Sequence, residues 1–249
     1  MIAASVGLFV AMVIAQLGGR AFGRRRIAAR GARAVTGVRA GEAAVYGLLS
    51  LLIAFTFAGA NSRFDARRTL VVEQIEALST AWMSFDLLAS NDRDAVRALF
   101  RRYVDGLNEA TSSFSDRQAF VRVLDTLVDV QNQLWQASVG SAKRAGDVVP
   151  TLVLPPLNRA FDLSGARLMA ALTHVQPSLV GFLWVLAVLS AVVVGHSQAV
   201  IRTTDLAYVV IYSAVITLAF YVILDLDFPS FGLIRLGEDF MVQFRASLG

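Results

Sequence analysis

Four apolar runs constrain this chain more than any other feature: Ile2–Leu17, Ala43–Ala60, Leu179–Gly195 and Leu206–Leu224. Each approaches the ~20 residues that a helix needs to cross the hydrocarbon core of a bilayer. A backbone in hydrocarbon has no water to bond, so a crossing segment must satisfy its own N–H and C=O groups, and these runs are expected as helices. Composition agrees, with 56% hydrophobic and 17% charged residues, against roughly 45–50% and about 25% in ordinary soluble domains. The first run has no basic residue ahead of it and a basic block behind it, the reverse of a cleavable leader. It is therefore expected to stay as a helix with its N-terminus outside the cell.

That basic block is "RAFGRRRIAARGARAVTGVR", with seven arginines between Arg20 and Arg39 and no acid among them. A cluster like this could bind phosphate and so suggest nucleic acid, but it lies between two apolar runs, where the positive-inside rule reads it as a cytoplasmic loop. A nucleic-acid partner is not expected. Placing loop 20–42 inside puts both termini and residues 61–177 outside. Residues 61–177 carry 13 basic and 13 acidic side chains, so they add no bias of their own. The chain has no cysteine, which excludes disulfides, thiolate metal sites and cysteine nucleophiles.

The pattern within 61–177 is helical. Val71, Ile75, Leu78, Trp82 and Phe85 recur at 4-3-4-3 spacing, and after Gly59 no Gly or Pro stops the second span, so one long helix is expected to run on from it. A second helix is expected from a cap around Ser90 to Asp92, with Val96, Leu99, Phe100, Tyr103, Val104 and Leu107 on one face. A third should start at a capping box made by Ser115 and Gln118. A fourth should enter near Pro155–Pro156 and carry Leu157, Phe161, Leu168, Leu172 and Val175 on one face. No period-2 pattern competes with these helices. The expected fold is all-α: an integral membrane protein with two spans and a basic loop in 1–60, a helical extramembrane bundle in 61–177, and two more spans in 178–225. Segment 226–249 is expected to lie at the membrane interface, with Phe240, Phe244 and Leu248 on one helical face and Glu238, Asp239 and Arg245 left to water.

The fourth span ends in "LDLDFPSFG", which sets Asp225 and Asp227 where the helix dipole disfavours anions. Arg63, Arg67 and Arg68 follow the second span on the same side, so the five residues are expected to form a membrane-edge charge cluster, with Pro229 and Gly232 ending the helix. The sharper alternative is a ring of carboxylates at a pore mouth. Small residues recur in the second span at Ala43, Gly47, Ala54 and Ala58, and in the third at Ala187, Ala191 and Gly195, which allows close helix approach. His174 and His196 fall at opposite membrane faces and share no metal motif, and no nucleophile elbow, phosphate loop or dinucleotide fingerprint occurs. Catalytic residues, metal sites and cofactors are therefore not expected.

The order of pieces resembles the bacterial bestrophin-like domain family of four-span membrane proteins. The resemblance lies in "FDARRTLVVEQIEALSTAWMSFDLL", "RALFRRYVDGL", "LNRAFDLSGARLMAALTHVQPSLVGFLW" and "LDLDFPSFG". Its more specific points are Glu76–Ala77, Tyr103, Arg167, Pro177 with Trp184, and Asp227 ahead of Pro229 and Gly232. It implies a multi-pass protein of the bacterial inner membrane. The distant likeness to bestrophins, pentameric anion channels lined by their second span, implies a homo-oligomer that passes a small inorganic ion, with Ser50, Ala54 and Phe57 facing the pore. It also implies an alternative orientation, with the bundle in the cytoplasm. The competing expectation is a non-conducting scaffold or sensor whose bundle binds a partner.

Overall fold

The computed structural model describes residues 1–30, 39–113, 116–200, 206–228 and 238–248. Eight α-helices are found there: α1 (Ile2–Arg30), α2 (Arg39–Ser84), α3 (Ser90–Ser112), α4 (Arg117–Ala145), α5 (Val149–Leu172), α6 (Pro177–Ser197), α7 (Leu206–Asp227) and α8 (Glu238–Ser247). Short 3-10 turns follow α2 and α6, and no strand occurs among the described residues. The protein is all-α, with four stretches long and apolar enough to cross a membrane. They lie in α1, α2, α7 and the segment Val149–Val200, where α6 is the uniformly apolar helix. Helix α2 is unbroken over 46 residues, in keeping with the lack of a breaker after Gly59.

The chain forms two compact units, Met1–Phe64 with His174–Ile234, and Asp65–Thr173 with Arg235–Gly249. In the first, Leu8 and Met12 of α1, Leu49 of α2, Leu183, Leu186, Ala187 and Ala191 of α6, and Phe220 and Leu224 of α7 make one buried cluster. Helices α1 and α6 approach so closely that a Cβ on Gly19 would fall on the Val192 carbonyl, and one on Gly195 on the Gln16 carbonyl. Only glycine fits either position. Polar side chains add links between helices: Gln16 Nε2 donates to Ser213 Oγ at 2.8 Å, and the Tyr212 hydroxyl to Ser190 Oγ at 2.9 Å.

The second unit is a helical bundle with its own buried core. Leu78 and Phe85 meet Val96, Phe100, Tyr103, Val104 and Leu107 of α3, Leu127, Val130 and Leu134 of α4, and Val153, Leu157 and Phe161 of α5. Gln74 is buried beside this core, where its Nε2 donates to Ser164 Oγ at 2.8 Å and its Oε1 accepts from Arg167 Nη1 at 2.8 Å. Both ends of the buried amide are thus satisfied.

Several local expectations are corrected. Residues 20–30, expected in the basic loop, continue α1 as helix, while 31–38 lie outside the described residues, as do Pro229 and Gly232. The cap of α4 is Asp116, whose carboxylate accepts from the amides of Gln118 and Ala119, and Ser115 lies outside the described residues. Helix α5 starts at Val149 and carries Pro155 and Pro156 in its interior, where they were expected to mark its entry. Each proline removes a backbone donor, but the buried stripe of Val153, Leu157, Ala160 and Phe161 holds the helix across them. Leu172 is exposed, and Val175 lies beyond the end of α5. The interfacial face expected within 226–249 also differs. In α8, Met241 joins Leu248 in the bundle core, Phe244 packs against that core and Phe240 is exposed. Arg245 forms a two-point ion pair with Asp105, at 2.6 and 3.1 Å, and Arg101 donates twice to the Leu248 carbonyl. Periodicity shows that a helix has an apolar face, but cannot say whether lipid or protein covers it.

Candidate functional site

The last five residues of helix α7, Ile223 to Asp227, are buried, and both Asp225 and Asp227 lie among them. The Asp227 carboxylate is only 1% exposed. One oxygen accepts from Arg63 Nε at 2.9 Å, and the other from the amide of Val175 at 2.8 Å. These two donors answer the unfavourable dipole at the helix C-terminus, because a carboxylate bonded to a cation and an N–H keeps its charge out of water at low cost. His174 completes the clasp. Its Nδ1 lies 3.2 Å from the Asp227 carbonyl oxygen, which requires that nitrogen to carry the proton. Its ring stacks on Phe228 with centroids 4.3 Å apart. The clasp ties the end of α7 to the start of the segment leading into α6.

Of the five residues expected in a charge cluster, the structure thus pairs Arg63 with Asp227. Arg67 is buried, with its Nε donating to the Ala170 carbonyl at 3.1 Å and its Nη2 to the Thr173 carbonyl at 2.5 Å. It caps the C-terminus of α5, where a cation is favoured by the dipole and by the unpaired carbonyls of the last turn. Arg68 is exposed. Four-residue spacing could not separate these roles, because Arg63 and Arg67 lie on neighbouring positions of one helix face. Sequence reasoning also missed the Val175 amide, since a backbone donor carries no side-chain signature.

The expected pore residues form the second part of the site. Ser50, Ala54 and Phe57 are all exposed and share a helix face at three- and four-residue spacing. They form one wall of a groove of about 580 Å³, whose other wall is Val215, Ile216, Leu218, Ala219 and Val222 of α7. The small-residue stripe of the same span, Ala43, Gly47, Ala54 and Ala58, is likewise exposed, whereas Ala187, Ala191 and Gly195 of α6 are buried against the first unit's own helices. Thr56 is buried and donates back to the Leu52 carbonyl at 2.7 Å, so its hydroxyl needs no partner elsewhere. Among the described residues no group of three or more His, Cys, Asp or Glu side chains is placed to hold a metal ion.

No family model and no curated protein sequence matches the chain. Solved structures do. A tryptophan-to-alanine variant of a bacterial bestrophin homologue from Klebsiella pneumoniae aligns with a TM-score of 0.76 at 13% identity, covering 99% of this chain and 96% of that one. A tyrosine-to-alanine variant of a bacterial bestrophin homologue from the same organism gives 0.76 at 13% identity, over 98% and 97%. A further crystal structure of a bacterial bestrophin homologue from Klebsiella pneumoniae gives 0.71 at 16% identity, over 100% and 97%. The chain has the bestrophin fold over nearly its whole length.

Proposed function

We propose that the chain assembles into a homo-oligomeric ion channel of the bacterial inner membrane, with its second span lining the conduction path. The bareness of that span carries the reading. In its most apolar stretch 17% of the residues are buried by the chain itself, against 28%, 39% and 22% in the first, third and fourth. A span so little covered, with the small and polar positions Ser50 and Ala54 on its open face, suits a helix completed by other copies and by a water-filled axis. The sequence resemblance to bestrophin-like proteins implies an oligomeric anion channel, and the shared fold supports the same activity here.

The closing carboxylates do not oppose anion passage. Asp225 and Asp227 are buried, and the charge of Asp227 is met by Arg63, so neither presents a ring of negative charge to a pore mouth. Purified protein in planar bilayers should give unitary currents whose reversal potential in a salt gradient reports the sign of the ion, and Phe57→Ala should raise unitary conductance. Silence across a range of pH, calcium and voltage, together with a sealed axis in the oligomer, would leave a non-conducting scaffold instead. For orientation, the seven arginines of loop 20–42 support an inside loop with the bundle outside. A cysteine at Ser113 should then be labelled from outside intact cells, and labelling only after lysis would invert the topology.

A further inference from the structure

Helix α1 is longer than the membrane it crosses. Its 29 residues make a rod of about 43 Å at 1.5 Å per residue, against roughly 30 Å of hydrocarbon. Its neighbour α6 shows where the excess lies. The two helices run parallel, with Gly7 beside Trp184, Gly19 beside Val192, and Gly23 beside His196 and Ala199. Gly23 therefore stands level with the end of α6, which closes at Ser197, and Arg24, Arg25 and Arg26 project beyond the apolar span. That is the depth of phospholipid headgroups.

The outer face of α1 changes character at this level. Leu8, Met12 and Gln16 are buried against the other spans, while Val10, Ile14 and Leu17 are exposed on the opposite side. Arg25 continues that exposed side, eight residues after Leu17. Phe22 is exposed between the two levels, and the Arg26 guanidinium lies over its ring, 5.9 Å from the centroid. Neither Arg25 nor Arg26 enters an ion pair among the described residues. The acids at this end are too few to balance them. By sequence, the segments 18–42 and 196–205 hold eight arginines against Glu42 and Asp205. The other end of the unit differs, because there the charge of Arg63 is taken by Asp227.

We infer that α1 binds an anionic phospholipid of the surrounding leaflet, with an acyl chain along Val10, Ile14 and Leu17 and the headgroup phosphate at Arg25 and Arg26. A guanidinium offers a phosphate two parallel N–H groups, and a basic cluster just past a span is the pattern that gathers anionic lipid. The unanswered charge selects this occupant. A helix from a second copy could cover the apolar face, but it would bring its own arginines to the same end and deepen the imbalance. The site is independent of whether the assembly conducts.

Native mass spectrometry of the full-length protein in detergent counts the bound lipids. In titrations with phosphatidylglycerol and phosphatidylcholine of identical chains, half-occupancy should come at about tenfold lower concentration of phosphatidylglycerol, the effect of one charge-assisted hydrogen bond. Arg25→Gln combined with Arg26→Gln should bring the two lipids within about twofold of each other. Arg68→Gln, which removes an exposed arginine from the other unit, should leave the preference in place. In the wild type, raising ammonium acetate from about 0.1 to 1 M shortens the screening length from about 10 to 3 Å, and should erode the preference even where the double variant fails to insert. Equal binding of the two lipids by the wild type would overturn the proposal, as would a preference that survives the double substitution or the high salt. Displacement of phosphatidylglycerol by an equal concentration of inorganic phosphate would reveal a free-anion site instead. Loss of the oligomer in the double variant would assign the face to a second copy, and either result overturns the lipid site.

Discussion

Helix α1 meets α6 through Gly19 and Gly195, with carbonyl oxygens where side chains would otherwise stand. Helix α3 meets its neighbours through Phe100, Tyr103 and Leu107, with Tyr103 edge-on to Phe161 at 5.1 Å and Phe100 edge-on to Phe85 at 5.5 Å. The contrast follows from the solvent each set of helices has to leave. Lipid tails are as apolar as leucine, so burying a leucine between spans gains little, and spans associate through close backbone contact and a few hydrogen bonds such as Gln16 to Ser213. On the proposed placement of the bundle outside the membrane its helices leave water, so burial of large side chains directs their packing at about 25 cal/mol per Å² of apolar surface. The same residue type therefore means different things in the two units. Glycine is the contact residue in one, and aromatic rings are in the other.

The largest effect that could break this comparison is expected at Gly195. Gly195→Leu places a branched side chain on the Gln16 carbonyl and should prevent α1 and α6 from packing at all. Trp184 emission would report the loss, while the circular dichroism of the bundle helices should persist. If Gly195→Leu packs normally, close backbone approach is not what holds the spans. In the bundle, Phe100→Ala should cost about 3–5 kcal/mol, because it leaves a cavity between Phe85 and Trp82. Thermal unfolding followed through Trp82 would measure it.

Smaller effects sharpen the comparison at the place where a charge is buried. Asp227→Asn should destabilise the first unit by about 1–3 kcal/mol, below the full penalty for a buried pair because Arg63 remains partly exposed. A second change at Arg63 to a neutral residue of similar length should recover part of the loss, and unchanged or deeper loss would show that Arg63 is not the partner that matters. A double-mutant cycle on melting temperature separates these outcomes. The smallest expected effect is a pH dependence of the bundle. Burial, offset in part by a hydrogen bond with Ser164, pushes the Tyr103 hydroxyl up from 10 to about 12. The unfolded chain then loses this proton first, so the contribution is complete below pH 10 and is lost as pH rises toward 12. Tyr103→Phe should flatten that alkaline decline in melting temperature.

The parts legible in the sequence were those carried by local spacing. Apolar length marked the spans, the 4-3-4-3 run marked the long α2, and the periodic faces of α3 supplied five of the buried residues of that helix: Val96, Phe100, Tyr103, Val104 and Leu107. Such patterns are legible because each helix must solve its own backbone bonding and must hide one face, whatever it later touches. Asp227 stood out for a similar reason, as an acid at the wrong end of a helix dipole.

Partner choice depended on tertiary structure. That Asp227 takes Arg63 and the Val175 amide, that Arg67 caps α5, and that α8 lays Met241 and Leu248 on the bundle are decided by which surfaces the folded chain brings within about 3 Å. An arginine reaches as readily to a carboxylate as to a carbonyl, and an amphipathic helix buries its apolar face as readily on protein as on lipid. Spacing along the chain therefore determined that these groups must be satisfied, and only the packed structure determined by what.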